Sequence, residues 1–536
     1  MRKRGIYIIK IMLIAITANS CGVFLKNAGM KNYSLDEKID KREFNDYQYD
    51  FVYLTHLLEQ GFPNINSVFP AKEREIQRKQ IIASLSSKNI NNNEFVLYTR
   101  KYLSNFHNQH TNIYLKSDIE SIYPYSVHIS YDKWYLFNID EGQDSLNIGK
   151  KIDKINGVEI NEIEKRLFDY TFAENKINQQ YELRHFQFSN RPSYLKAINV
   201  IKDPTEKIKI TFSDSSQLLL ETTKDYKNLK WHQVNGSSNE ITKWENKTYF
   251  YKIYPNQDFG YLQFNTCHDK IDILESLESY VKPWLVPIAK RYVKRQFKKE
   301  NPSKQLAPYY NTEYPVFKDF IWELIDSLNN NNINNLVIDL RNNPGGNLSL
   351  GIQLMYFLTD KKNVKGFTEY IYTSSISKNY FKSIYEDLGD KYSEDTPNGQ
   401  LLLTEDGDDL FNEITDSTSV YYIPQSRPIY KGRVFILSNY RTGSAAAMLT
   451  TLCQDNAIGT IIGTSVGNNP TGATIYTPMK LPKTKANISI ATYYQERPNK
   501  LSGKIQFPDY WVEYSMNDFI TDRDPYLEKV KELMSE

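Results

Sequence analysis

Ser444 stands where a buried strand meets a helix. The apolar residues 434–437 predict the strand, Gly443 predicts a tight turn, and the small residues 445–447 predict the first turn of a helix. A hydroxyl at a helix N-terminus lies close to unpaired N–H groups and to the positive end of the helix dipole, which favour developing negative charge. Ser444 is therefore a candidate nucleophile, with the Ala445 N–H as a candidate oxyanion donor. The same spacing is also typical of a serine that only caps a helix.

A second chemical feature is the turn Pro344-Gly345-Gly346, which follows a predicted core strand with the apolar residues 336–338. Paired glycines permit positive φ angles and leave backbone N–H groups unshielded. A turn of this kind at the carboxyl end of a strand is where α/β proteins bind ligands. The alternative is a tight strand-to-helix turn without a ligand.

His107 and His110 form the third feature, in a chain with only seven histidines. They follow a predicted helix and precede the strand-like residues 112–115, and either is a candidate general base. Histidines three residues apart can share a zinc ion, but neither a His-Glu-x-x-His motif nor a cysteine cluster accompanies them. We therefore expect no catalytic metal and no cofactor.

Three regions must position these residues. Residues 49–114 have apolar positions at helical spacing, whereas residues 120–225 are rich in alternating strand patterns around an Asn156-Gly157 turn. From residue 248 strands alternate with helices, which predicts an α/β region with a largely parallel sheet. Residues 363–430 are long and polar, so we expect an extended loop there.

The composition is that of a folded protein with two or three domains. Its 536 residues exceed one ordinary core, and 40% are hydrophobic and 24% charged. The formal net charge of +2 gives no bias toward nucleic acid, so we expect no nucleic-acid partner.

The first residues predict export. Three basic residues at positions 2–4 precede the apolar residues 11–18, a run too short to span a bilayer but of signal-peptide length. Small residues then lead to Cys21, and the whole resembles a bacterial lipoprotein signal in which Cys21 is lipidated. An ordinary cleaved signal with an incidental cysteine is the alternative. In an exported protein Cys267 and Cys453 can pair, although Cys453 falls in a predicted helix, where a buried free thiol is the usual state.

The order of the motifs resembles one family, the C-terminal processing and tricorn-core serine peptidases (clan SK), including the Bacteroidetes-type lipoprotein members with a D-x-H-T motif. The resemblance rests on His110-Thr111, Leu336 to Gly346 (LVIDLRNNPGG), Thr442-Gly443-Ser444-Ala445-Ala446, Gly463 to Gly467 and Phe507-Pro508-Asp509. It implies a ClpP/crotonase-like α/β peptidase core with an N-terminal helical segment and an inserted β-rich, PDZ-like module.

The resemblance also implies the domain boundaries and the surroundings of the protein. Residues 1–21 would be the lipoprotein signal, 22–117 a linker and helical region, 118–225 the PDZ-like domain and 226–536 the peptidase domain. The expected partners are a peptide or protein substrate and, through the lipid anchor, a bacterial membrane facing the periplasm. The oligomeric state stays open.

The resemblance separates two catalytic arrangements. One branch pairs its serine with a lysine about 25 residues later, where this chain has Asn469, and no lysine occurs between Ser444 and Lys480. The other branch uses an upstream histidine, which the resemblance places at His110. It further implies a late glutamate as third member, for which Glu496 is the candidate, and oxyanion donors from Gly345 or Gly346 and from Ala445.

One departure from the family pattern concerns activity. Many relatives have Ser-Ala-Ala-Glu after the nucleophile, and this chain has Ala447 at the place of the glutamate. A catalytically degenerate lipoprotein that binds peptides with the same fold is therefore the alternative function. A carbohydrate-binding lipoprotein would leave the Pro-Gly-Gly and Gly-Ser-Ala-Ala motifs unexplained.

Overall fold

The computed structural model describes residues 44–87, 90–116, 120–143, 145–224, 228–232, 247–280, 286–296, 316–393 and 395–536. Cys21 and the predicted signal therefore lie outside the described residues.

The N-terminal part is helical. The first helices are α1 (Asp46–Gly61), α2 (Ile65–Val68), α3 (Ala71–Ser84) and α4 (Asn92–Leu103). Asn45 and Asn91 begin α1 and α4 with capping boxes, because each side chain accepts the N–H three residues on.

The second part contains the predicted strands and additional helices. Its strands are β1 (Asn112–Tyr114), β2 (Tyr125–Ser130), β3 (Lys133–Asp140), β4 (Ile152–Ile155), β5 (Val158–Glu159), β6 (Ile208–Phe212), β7 (Gln217–Leu220) and β8 (Trp231–His232). Its helices are α5 (Ile160–Phe168), α6 (Lys176–His185) and α7 (Pro192–Ala197).

This part has a hydrophobic core of its own. Two small sheets, β2-β3-β8 and β5-β4-β6-β7, pack with the three helices around side chains such as Trp134 and Ile163. The Asn156-Gly157 hairpin is confirmed: both residues have positive φ angles, as a two-residue turn between β4 and β5 requires. The PDZ-like identity of this part stays a prediction.

The remaining chain alternates strands and helices. Its strands are β9 (Tyr249–Tyr254), β10 (Phe259–Phe264), β11 (Asn335–Asp339), β12 (Thr368–Tyr372), β13 (Leu401–Glu405), β14 (Arg433–Ser438), β15 (Thr460–Gly463), β16 (Gly472–Lys480), β17 (Asn487–Glu496) and β18 (Tyr510–Trp511). Its helices are α8 (Lys270–Tyr280), α9 (Val286–Gln296), α10 (Phe317–Asn330), α11 (Leu348–Leu358), α12 (Ser375–Tyr380), α13 (Lys382–Asp387), α14 (Asn412–Thr415), α15 (Ala445–Asp455), α16 (Met516–Thr521) and α17 (Pro525–Ser535).

The central sheet has the order β18-β15-β14-β11-β10-β9. All neighbouring pairs are parallel except β10 and β9, which confirms the predicted α/β class with a largely parallel sheet. Helices α10, α11 and α15 pack on one face around buried side chains such as Leu324 and Leu354, and α17 covers the other face. The Gly345-Gly346 turn follows β11 and the Ser444 turn follows β14, each at the carboxyl end of its strand.

A second sheet ties the N-terminal helices to the core. It has the order β1-β17-β12-β13, with β16 paired to β17, and its apolar side chains pack with those of α1 and α4. The extended loop expected over residues 363–430 is wrong, because β12, β13 and helices α12 to α14 lie there. Cys267 and Cys453 are both buried free thiols, and Cys453 lies in α15 as predicted. Within the described ranges, no helix combines the length and apolarity needed to cross a membrane.

Candidate active site

Ser444 adopts a strained backbone conformation between β14 and α15. Its φ is 48° and its ψ is −125°, a combination that a residue with a side chain rarely adopts. The Ser444 N–H donates to Asn468 Oδ1 over 2.9 Å, which helps to hold the turn, and the side chain is exposed. A sharp, strained strand-to-helix turn that presents a serine hydroxyl is how α/β hydrolases display their nucleophile.

The Gly345-Gly346 turn lies directly against this serine. Gly345 has a φ of 107°, and a Cβ atom placed on it would lie 2.6 Å from Ser444 Cβ and 2.9 Å from the Ala445 nitrogen. Gly346 has a φ of 139°, and its Cβ would overlap the Cys267 carbonyl oxygen. Both positions therefore require glycine, for the conformation and for the close approach.

Two backbone N–H groups beside Ser444 have no hydrogen-bond partner in the described part of the chain. Among the described residues, the N–H groups of Gly346 and Ala445 donate to no acceptor, whereas the Gly345 N–H donates to Asn343 Oδ1 over 2.9 Å. Of the two glycines predicted as oxyanion donors, Gly346 is therefore the one whose N–H group has no acceptor among the described residues. Unpaired N–H groups beside a serine can hold an oxyanion.

A buried ion-pair network fixes the strand end that carries this turn. Arg341 is fully buried and bonds both Asp339, at the end of β11, and Asp524, before α17. Its guanidinium also lies 4.6 Å from the ring centre of Tyr526. Removal of one partner would leave a buried charge unpaired, which is strongly destabilising. The ion pairs of Arg341 therefore fix the end of β11, from which the turn starts.

His110 lies just before β1, which belongs to the second sheet. Its ring centre is 6.1 Å from that of Tyr476, and the neighbouring Thr111 hydroxyl accepts the Ala491 N–H over 3.0 Å. The side chain is half-buried, its Nδ1 is buried without a hydrogen-bond partner, and burial lowers the pKa of His110 to about 4. No hydrogen bond joins His110 to Ser444 within the described part of the chain.

Glu174 links the His110 segment to the Ser444 turn. Its Oε2 accepts the Asn469 N–H over 2.6 Å, and its carboxylate also accepts the backbone N–H of Gln109. Asn469 follows Asn468, the residue that bonds Ser444. Burial raises the pKa of Glu174 to about 7 against the lowering effect of these two hydrogen bonds. The sequence analysis missed Glu174, because its partner Asn469 is 295 residues away.

Glu496 lies elsewhere. It ends β17 and pairs with Lys500 over 2.6 Å. Ala491, which contacts Thr111, is five residues earlier, and five residues of strand span about 16 Å. The structure therefore does not bring Glu496 together with His110, and its role as the third catalytic residue stays a prediction of the resemblance.

His107 has no contact with Ser444 among the described residues. It ends a 3₁₀ turn in the left-handed conformation, with a φ of 45°. Burial of its ring atoms lowers the pKa of His107, and a backbone hydrogen bond to Ala173 partly offsets this. Because Ala173 precedes Glu174, His107 also contacts the segment that carries Glu174, and the choice of His110 as the base stays a prediction of the resemblance.

A histidine that the sequence analysis missed lies on the other side of the glycine turn. A Cβ on Gly346 would be 2.8 Å from His268 Nε2, and His268 Nδ1 bonds Asp272 Oδ2. Asp272 also accepts Asn347 Nδ2 over 3.0 Å. The spacing of His and Asp four residues apart at a helix start was the available signal. Across the residues that the structure describes, His, Cys, Asp and Glu form no group of three that could hold a metal.

Comparison with known proteins assigns this site to a class. A strained serine turn with two unpaired backbone donors is typical of serine hydrolases. The model of peptidase family S41 matches residues 311–512, which include the glycine turn and Ser444. This part of the chain is therefore similar to a family of serine peptidases. No curated protein matches it.

Solved structures share the fold over most of the chain. Mature CPAF is 14% identical, with 91% of this chain and 97% of that chain covered and a TM-score of 0.56. Mature CPAF complexed with lactacystin is also 14% identical, with coverages of 91% and 98% and a TM-score of 0.57. The CPAF s499a mutant is 13% identical, with coverages of 91% and 97% and a TM-score of 0.58. At this identity the likeness concerns the fold.

Proposed function

We propose that this chain hydrolyses peptide bonds with Ser444 as nucleophile and His110 as general base. The observation that carries the proposal is the strained Ser444 turn against the Gly345-Gly346 turn, with two unpaired N–H groups between them. Ser444 Oγ attacks the peptide carbonyl carbon, and the N–H groups of Gly346 and Ala445 stabilise the oxyanion. Loss of one such donor typically costs about 10²–10³ in rate.

His110 takes the Ser444 proton and then delivers it to the leaving amine. A neutral serine is a weak nucleophile, so this base is essential. Burial favours the neutral imidazole that a base needs. The network through Glu174 and Asn469 supports the assignment, since it holds the His110 segment beside the serine turn. We propose that the Ser444–His110 hydrogen bond forms when a peptide binds at Ser444, because catalytic hydrogen bonds are often long in free enzymes.

Glu174 is the carboxyl group that the geometry favours as the positioning residue of His110. It contacts the backbone next to His110, whereas Glu496 pairs with an exposed lysine. Replacement of each glutamate by glutamine tests the choice. We expect Glu174→Gln to lower turnover by tenfold or more and Glu496→Gln to change it less than threefold. The reverse ranking would return the third position to Glu496.

We further propose that the protein acts in the bacterial cell envelope, anchored through a lipid on Cys21. The support is the basic and apolar pattern that precedes Cys21. The mass of the mature protein tests this proposal, because a lipidated chain that starts at Cys21 is heavier than the bare polypeptide by its acyl groups. An unmodified N-terminus at another residue would rule the anchor out.

The second candidate is a peptide-binding protein that has lost catalysis. The unpartnered Nδ1 of His110 and the missing Ser444–His110 bond favour it. Fluorophosphonate labelling separates the two candidates, since it requires an activated serine but no known substrate. Lactacystin, which forms a complex with mature CPAF, is a second probe for binding at Ser444.

A further inference from the structure

A small cavity lies where the β-rich part meets the peptidase core. It measures about 50 Å³ and is lined from one side by His128, Tyr181 and Arg184 and from the other by Asn439 and Tyr440. Asn439 and Tyr440 belong to the segment that leads from β14 into the Ser444 turn. A cavity needs about 10–15 Å³ on this measure to hold one water, so this one has room for a group of carboxylate size.

Arg184 brings a positive charge into this cavity without a negative partner. Its Nη1 lies 3.0 Å from His128 Nδ1, and its guanidinium carbon lies 4.0 Å from the ring centre of Tyr440. Among the described residues no carboxylate forms an ion pair with it, and its other N–H groups donate to no acceptor. Burial is the main cause that lowers the pKa of Arg184 to about 10, and repulsion from Arg441 also lowers it. Arg184 therefore stays charged at neutral pH.

His128 does not change this charge balance. Its Nε2 lies 3.1 Å from the carbonyl oxygen of Tyr514, which can only accept, so Nε2 carries the proton. Nδ1 is then the unprotonated nitrogen that accepts from Arg184. Burial is the main cause that lowers the pKa of His128 to about 3, and the charge of Arg184 also lowers it. The ring is therefore neutral. His128 thus orients the guanidinium and leaves its charge uncompensated.

The acidic residue that lines the cavity is engaged elsewhere. Glu513 Oε1 accepts the Tyr131 N–H, and burial raises the pKa of Glu513. Its charge acts on Arg184 only weakly, behind the effects of burial and Arg441. A partly buried guanidinium with free donors and aromatic walls is a site for an anion, because an unpaired charge is costly and a planar carboxylate fits the fork.

We propose that this cavity binds a carboxylate group of a peptide, with Arg184 as its charged donor and Asn439 as a polar neighbour. This proposal rests on the proposed function in one respect, which is that the ligand is a peptide. Tyr440, which lines the cavity, is four residues before Ser444 in the same segment. The site would select peptides that present a carboxylate, either at the C-terminus or on an Asp or Glu side chain.

Binding to the Ser444→Ala protein tests the site without any turnover. The probes are N-acetyl-Ala-Ala-Ala as free acid and as amide, and N-acetyl-Ala-Glu-Ala-amide with its Gln counterpart, titrated by calorimetry. We expect an acidic member to bind at least tenfold more tightly than its neutral partner, as charge-assisted hydrogen bonds imply. A preference for the first acid identifies a C-terminal carboxylate, and a preference for the second identifies a side chain. Equal affinity within both pairs would overturn the proposal.

Variants locate the effect. Arg184→Gln should abolish the acid preference, and Arg184→Lys should keep part of it. Arg441 is exposed, and its charge acts on Arg184. Arg441→Gln should therefore reduce the preference severalfold, and it provides the test if Arg184→Gln fails to fold. Arg166→Gln is the matched control, because Arg166 already pairs with Glu162. A preference that survives both Arg184→Gln and Arg441→Gln would contradict the site. Failure of catalysis would instead appear as absent serine labelling in the wild type.

Discussion

Gly345 and Ser444 approach each other so closely that no side chain fits between them. A Cβ on Gly345 would lie 2.6 Å from Ser444 Cβ, although β12 to β14 and α11 to α14 lie between the two residues in the chain. Parallel strands β11 and β14 are neighbours, so their carboxyl-end turns meet at one edge of the sheet. This contact brings the Gly346 and Ala445 N–H groups, which have no acceptor among the described residues, to the same edge of the sheet as Ser444.

Gly345→Ala should therefore disable the site. The added methyl group meets Ser444 Cβ, and the φ of 107° disfavours any side chain, so the turn must move. We expect the rate of fluorophosphonate labelling to fall at least about 100-fold, as for loss of oxyanion stabilisation. Gly503→Ala is the control, since its φ of 75° is also positive but no atom lies within 4 Å of the new methyl. Equal losses in both variants would point to general backbone strain.

The pH dependence of labelling should reflect a buried histidine. Burial lowers the pKa of His110 from 6.5 to about 4, so the base stays neutral down to mildly acidic pH. We expect the rate to fall as the pH drops through about 4, and His110→Ala to lower it at least about 10³-fold. His107→Ala should keep both the rate and the profile. A loss of activity only on substitution of His107, or of His268, would reassign the base.

Glu174 should make stability depend on pH. Its pKa is about 7 in the folded protein and near 4.5 when exposed, so between these values only the folded state holds the proton. The free energy of unfolding then falls as the pH rises from about 4.5 to 7, by on the order of 3 kcal/mol. Glu174→Gln should remove this component.

The measurement is urea unfolding of wild type and Glu174→Gln at pH 5 and pH 8. His110 contributes with the opposite sign at the acidic end, because its folded pKa is depressed, so only the difference between the two proteins is informative. We expect the variant to gain stability relative to the wild type on going from pH 5 to pH 8. No change in that difference would show that the Glu174 carboxyl titrates normally.

The features predicted correctly from the sequence are local ones. The β14 strand, the Gly443 turn and α15 follow from apolar, glycine and small residues in consecutive order, and so does the Asn156-Gly157 hairpin. Helix α6 was missed because it is mostly polar, with three buried residues and no apolar stripe. The pattern of such a segment does not distinguish a helix from a loop.

The contacts that assemble the site were not predictable. Glu174 and Asn469 meet only because the β-rich part packs against the core, and no spacing in the chain records that contact. Glu496 was placed by resemblance to the family, and the register of β17 puts it along the strand from the residues that contact the His110 segment. His268 and Asp272 had a local signal, a four-residue spacing, whose relevance depends on the position of Gly346.

Labelling of the purified protein with a fluorophosphonate probe, followed by mass spectrometry, tests the central claim most directly. We predict a single adduct on the peptide that contains Ser444, absent in Ser444→Ala and retained in Ser502→Ala, a change at an exposed serine. Circular dichroism would show that both variants fold. No adduct on the folded wild-type protein, or an adduct that persists in Ser444→Ala, would contradict the account.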